Sequence, residues 1–132
     1  MDAQRIIAVE WARLNGARPR NAGSNARLGE HGSMVQTPIL RVTAEDGTRG
    51  FGMCRADPQQ ATELVGRRLN DLFDPARGVR DPWLAFEYPL WDLAGQLANR
   101  PVYALAAAIA GVDANQPLRA PCYDTSLYFD DL

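Results

Sequence analysis

The sequence predicts an α+β fold: a three-stranded antiparallel meander followed by a helical bundle. Three observations point there. The first half holds two strand-like stretches with branched residues, Ile6 to Leu14 and Met34 to Ala44, and after a turn signal a returning strand, Thr48 to Arg55, that its glycines weaken. From Asp57 onward the chain changes to cap-and-helix signals. The composition, 46% hydrophobic and 23% charged over 132 residues, is that of one globular domain.

Each element follows from local chemistry. IIAVEWARL alternates loosely and predicts the first strand. Residues 15–33, NGARPRNAGSNARLGEHGS, are rich in Gly, Asn and Arg without periodicity and predict a long loop, a length often associated with lids. Met34 to Ala44 is the second strand. Asp46-Gly47 favours a tight hairpin turn because glycine accepts positive φ at little cost. Thr48 to Arg55 returns, with Gly50 and Gly52 marking a bulge or a close backbone approach.

The helical half opens at Asp57-Pro58 with Gln60 three residues on, an N-cap, a first-turn proline and a capping-box acceptor in register. That helix is expected to end at Gly66. Leu69, Leu72 and Phe73 predict a short amphipathic turn, and DPARGVRDP a loop. Asp81-Pro82 opens a helix to about Ala98, with Phe86, Leu90, Leu93 and Leu97 on one face. Glu87 falls inside the apolar arc and calls for a polar partner. Pro89 predicts a kink or break, since it removes a backbone donor. Asn99 is placed to end the helix in the left-handed conformation, and Pro101 to Gly111 forms a further Ala-rich helix. A last strand is expected over about 118–126.

Composition closes off several function classes. A net charge of −2 gives no general attraction to nucleic acid or anionic lipid. No apolar run nears the roughly 20 residues of a membrane span, and the N-terminus lacks the pattern of a signal peptide. Two cysteines, Cys54 and Cys122, are too few for a disulfide scaffold and read as free thiols of a cytoplasmic protein. All 14 basic residues are arginine, so no lysine base, Schiff base or phosphate-loop lysine exists in this chain.

Site chemistry is sparse. His31 is the only histidine, and no HxxH or CxxC spacing supports zinc. Asp124, Asp130 and Asp131 cluster near the end as solvated or capping acids. No GxSxG, GxGxxG or GxxxxGK[ST] is present. The basic loop is the strongest binding pattern: Arg18, Arg20 and Arg27 accompany Asn21, Asn25 and His31, groups that could hold a carboxylate. Asp92 reads as a structural acid that hydrogen-bonds a neighbouring backbone or arginine.

In order along the chain, LRVTAEDGTRGFG, EYPLWDLAGQ, RPVYALAAAIAG and APCYDTSL resemble the N-terminal half of the mandelate racemase/muconate lactonizing branch of the enolase superfamily. The second is similar to that family's WDxxGK helix, the third to its GxPVyxLLG helix, and the last to the YDS strand that opens its barrel. The likeness covers nearly the whole chain. Gln96 stands where the family usually has Lys, Asn99 where it has Gly, and Pro89 interrupts a helix usually built of Ala and Leu.

The resemblance implies an enolase N-terminal-like capping domain over residues 1–117, with 118–132 starting a (β/α)7β barrel. It implies proton abstraction α to a carboxylate with Mg²⁺, by a racemase, acid-sugar dehydratase or cycloisomerase. The base and metal ligands would lie on barrel strands outside these residues, so neither a catalytic residue nor a metal ligand is assigned here. The segments after the first and third strands, residues 15–33 and 53–56, would select the substrate. This makes Asn25, Arg27, His31 and Cys54 candidate substrate-binding residues, with Thr125 at the end of the first barrel strand. The expected partners are the barrel domain, a small carboxylate substrate and further copies in a homo-oligomer; the chain alone would be inactive and self-associating. The competing expectation is a non-catalytic binding or assembly module that retains the same fold.

Overall fold

The computed structural model describes residues 4–19, 21, 23–27, 29–115 and 121. The strand expected over 118–126, with Cys122, Asp124 and Thr125, lies outside the described residues, as do Asp130 and Asp131.

The chain runs β1 (Ile6–Ala17), β2 (Ser24–Asn25), β3 (Gly29–Glu30), β4 (Met34–Ala44) and β5 (Arg49–Met53). β1, β4 and β5 form the expected antiparallel meander, in that order. β1 is longer than its sequence suggests. Asn15, Gly16 and Ala17 pair with Gln36, Val35 and Met34, and β2 pairs with β3 to make a second, small hairpin. The predicted loop over 15–33 therefore shortens to an excursion that carries its own small hairpin. The tight turn at Asp46-Gly47 is a three-residue loop. Gly47 has φ +86°, its amide donates to Ala44 O at 2.9 Å, and Ala44 N donates to Thr48 O at 2.8 Å.

Register divides the sheet into two faces. Val9, Val42 and Gly50 align on one, as do Trp11, Leu40 and Gly52. Leu40, Val42 and Ala44 are buried there beneath the helical layer. The other face carries Glu10, Arg41 and Phe51 in line, and Ala12, Ile39 and Met53. Arg41 donates through Nε and Nη2 to the two carboxylate oxygens of Glu10, each at 2.5 Å. That bidentate pair holds the Glu10 carboxyl below the ordinary carboxylate range and raises Arg41.

α1 (Pro58–Thr62) begins as predicted: Gln60 N donates to Asp57 Oδ1 at 2.8 Å, and Asp57 N donates to Gln60 Oε1 at 3.0 Å. The α-helix stops at Thr62 and not at Gly66. Glu63, Leu64 and Val65 each bond three residues back, and Gly66 N turns away to Ile6 O at 2.8 Å. α2 (Leu69–Leu72) is the predicted short turn, and β6 (Phe73–Asp74) and β7 (Gly78–Val79) make a hairpin of the segment expected as loop.

The break expected at Pro89 falls three residues earlier. Asp81–Phe86 is a 3-10 helix, and α3 (Glu87–Ala98) starts at Glu87. Pro89 thus occupies the first turn of α3, where an amide has no intrahelical partner to lose. Asn99 ends α3 at φ +48°, ψ +45°, and α4 (Val102–Ala110) closes at Gly111 in the same left-handed region.

α3 lies close against β5. A methyl group on Gly50 would come within 2.6 Å of Leu93 Cβ, and one on Gly52 within 2.6 Å of Tyr88 Cβ. The glycines mark close approach and not a bulge. Phe51 N donates to Asp92 Oδ2 at 2.8 Å, which is the structural role expected of that acid. Leu90, Leu93 and Ala94 fill the core against Leu40 and Val42, with Phe86 above and Leu97 partly buried. Trp91 meets Phe73 edge-on at 4.8 Å between ring centroids.

Candidate functional site

In an antiparallel meander the outgoing end of β1, the start of β4 and the outgoing end of β5 lie together. Residues 17–34 and Cys54–Ala56 therefore leave the same end of the sheet. The two segments expected to select substrate thus leave in the same direction but from different levels: β5 ends with Met53 opposite Ile39, five residues along β4 from Met34, where the excursion returns.

The excursion is held shut at its neck. Arg18 N donates to Ser33 O at 2.7 Å, and Arg18 Nη1 donates to His31 O and Gly32 O, both at 3.0 Å. Farther out, His31 N donates to Gly23 O at 2.8 Å and Asn21 Nδ2 to Glu30 Oε1 at 2.6 Å. Arg18, grouped in the sequence with the anion-holding residues, serves as an internal clamp on carbonyls. Asn25 lies on β2 opposite Gly29, Arg27 is exposed in the turn that follows, and His31 is half-buried.

The second segment is strapped to β4 and to the 3-10 helix. Cys54 N donates to Pro38 O at 3.0 Å, and Arg55 N to Ala85 O at 2.9 Å. Cys54 is 5% exposed, its Sγ 3.7 Å from Ala56 O. Between these elements lies a cleft of about 290 Å³, lined by Gln36, Thr37 and Pro38 on one side, Met53, Cys54 and Arg55 on another, and Leu84, Ala85 and Tyr88 on the third.

Of the predicted residues, Cys54 alone lines this cleft; Asn25, Arg27 and His31 sit on the excursion, and Thr125 lies outside the described residues. The cleft adds groups that pattern reading did not single out: Gln36, Thr37, Arg55 and Tyr88. Arg55 was visible as the one cation directly after the third strand. Gln36 and Tyr88 carry no such signal, because only tertiary packing brings β4 to the start of α3. These groups can hold hydroxyls and a carboxylate: Arg55 supplies a guanidinium, Tyr88 a phenol, and Gln36 and Thr37 short polar arms. They supply no nucleophile-base pair.

Solved structures match the chain nearly end to end. A mandelate racemase/muconate lactonizing protein from a Geobacillus species, complexed with magnesium and tartrate, is 42% identical over 99% of this chain with a TM-score of 0.75, and the match covers 34% of that protein. A Geobacillus galacturonate dehydratase, complexed with D-galacturonate and 5-keto-4-deoxy-D-galacturonate, is 40% identical over 99% of this chain and 33% of its own, with a TM-score of 0.71. A D-glucarate dehydratase from Agrobacterium tumefaciens, complexed with magnesium, shares the fold alone, at 23% identity over 79% of this chain and 33% of its own, with a TM-score of 0.54. No protein-family model and no curated protein matches.

With its meander, its helical layer and this identity along its whole length, the chain belongs to the mandelate racemase/muconate lactonizing enzyme branch of the enolase superfamily. It spans about a third of the length of these relatives. Among the described residues no group of three or more His, Cys, Asp or Glu side chains could hold a metal ion. No helix among them is long and apolar enough to cross a membrane.

Proposed function

We propose that these residues form the capping domain of a magnesium-dependent enzyme that removes the proton α to the carboxylate of a sugar acid. The observation that carries this is the 40% identity, over 99% of the chain, to a galacturonate dehydratase crystallised with its sugar acid and a keto-deoxy product. The departure of both candidate selecting segments in the same direction from the sheet supports it. Residues 1–117 are the cap, and 118–132 begin a C-terminal (β/α)7β barrel that carries the base and the magnesium ligands. The complete enzyme is a cytoplasmic bacterial lyase or isomerase that assembles as a homo-oligomer.

In this reading Asn25, Arg27 and His31 are carried over the barrel mouth by the excursion, Cys54 floors the cleft behind it, and Thr125 meets the substrate from the barrel side. The cap contributes binding and exclusion of water, which strengthens every charge interaction at the reacting carbon. The proton transfer belongs to the barrel.

The experiment is a chimera. This chain replaces the matching third of the Geobacillus galacturonate dehydratase, and keto-product formation from D-galacturonate is assayed with magnesium. The expected result is turnover by the folded chimera and none by the 132-residue chain alone. Turnover by the isolated chain refutes the reading, as does a folded, magnesium-loaded chimera that is silent on every sugar acid.

A further inference from the structure

A second cleft, of about 380 Å³, runs along the outer flank of β5 and is walled by Phe51, Gly52, Met53, Tyr88, Trp91 and Val102. Glu87 and Asp92 complete the lining of this largely apolar cleft. The two acids differ. Asp92 is engaged by Phe51 N at 2.8 Å and by Gln96 Nε2 at 3.4 Å. Glu87 is half-buried, and among the described residues no hydrogen bond or ion pair reaches its carboxylate. Around it the apolar side chains stand open, with Phe51, Met53 and Tyr88 more than half exposed.

A carboxylate beside aromatic side chains is complementary to a cation, and a flat, delocalised one can both stack on a ring and donate to the carboxylate. We propose that this cleft receives an arginine side chain from a polypeptide segment outside these 132 residues. The guanidinium stacks on the aromatic wall and donates to Glu87, while apolar neighbours of that arginine cover Met53 and Val102. The assignment rests on reading the chain as a cap that further polypeptide covers; the neighbours of which it spans a third carry such polypeptide. The segment does not add to the sheet as a strand, because the Phe51 amide is already taken by Asp92 and α3 lies against β5 at Gly50 and Gly52. Recognition is through the side chain.

The test is a ¹⁵N NMR titration of the 132-residue chain with N-acetyl-arginine methylamide, using N-acetyl-norleucine methylamide as the uncharged control. Saturable shifts confined to Gly52, Met53 and the 87–92 turn are expected. Norleucine and the Glu87→Gln variant should each bind about tenfold more weakly. Equal binding of both probes, no effect of Glu87→Gln, or shifts scattered over the surface overturns the proposal. So does a concentration-dependent dimer that Glu87→Gln abolishes, since the arginine would then come from a second copy. The titration does not depend on the chimera: a silent chimera with an arginine-selective cleft removes the proposed function alone, and an active chimera with an unselective cleft removes this assignment alone.

Discussion

Replacing Gly50 by alanine puts a methyl group into the tightest seam of the molecule. That carbon would lie 2.5 Å from Leu93 N and 2.6 Å from Leu93 Cβ, where ordinary contact begins near 3.4 Å. The obstacle is helix backbone, so no side-chain rotation relieves it; α3 must withdraw from β5 by about 1 Å. Overpacking of this kind costs about 1–3 kcal/mol. Withdrawal also stretches the bond from Phe51 N to Asp92, and a hydrogen bond to a charged group is worth about 1.5–3 kcal/mol. Alanine returns about 0.4–1 kcal/mol by restricting the unfolded chain. The net expectation is about 3 kcal/mol, a large share of the roughly 5–15 kcal/mol that holds a domain together.

Urea unfolding followed by tryptophan fluorescence should show the midpoint falling by about 2 M at unchanged slope. Gly47→Ala is the control. A methyl there meets nothing within 4 Å, and the cost comes only from φ +86°, about 1–2 kcal/mol. Exchange of the Phe51 amide separates the two: faster in Gly50→Ala, unchanged in Gly47→Ala relative to global stability. A Gly50→Ala protein within about 1 kcal/mol of wild type would refute the argument that α3 is held at van der Waals limit by a missing side chain.

Two further outcomes follow from the geometry. Arg18→Ala should open the neck of the excursion and speed tryptic cleavage after Arg27 by about tenfold, while global stability drops by only about 1 kcal/mol because the freed carbonyls can hydrate; an unchanged cleavage rate would show the clamp to be idle. For Glu10, a carboxyl held below its ordinary 4.5 by Arg41 stabilises the fold fully above that value and loses the contribution as pH falls through the lower folded value. The difference in urea midpoint between wild type and Glu10→Gln should therefore be steady near neutral pH and shrink in acid, and high salt should reduce it; a difference that grows in acid would contradict the pairing.

What the sequence made legible is what local chemistry decides. Asp57 and Gln60 name their own capping box, Asn99 its own left-handed stop, and the branched residues of β4 their own strand, each within a few positions. What stayed hidden depends on distant atoms. The neck of the excursion is closed by a guanidinium reaching across 13 residues to a carbonyl oxygen, and carbonyls carry no side-chain signature. Pro89 looked like a defect until the helix started two residues before it. In the site, Cys54 could be placed after the third strand, but its burial is set by the 3-10 helix that packs over it, and the cleft beside it is assembled from three separated segments.

The opening residues of the chain are stitched to its middle. Arg5 Nη1 donates to Gly66 O, 61 residues away, while Ile6 N donates to Arg67 O and Leu69 N to Gln4 O. On a ribosome adding about 5–20 residues per second, that stitch waits roughly 3–12 s after its first half has been made. β1 can find β4 sooner, but its starting end hangs loose for those seconds with Ile6, a fully buried residue in the finished molecule, facing water. Nascent-chain chaperones should grip it there and let go once the stretch around Leu69 has cleared the exit tunnel.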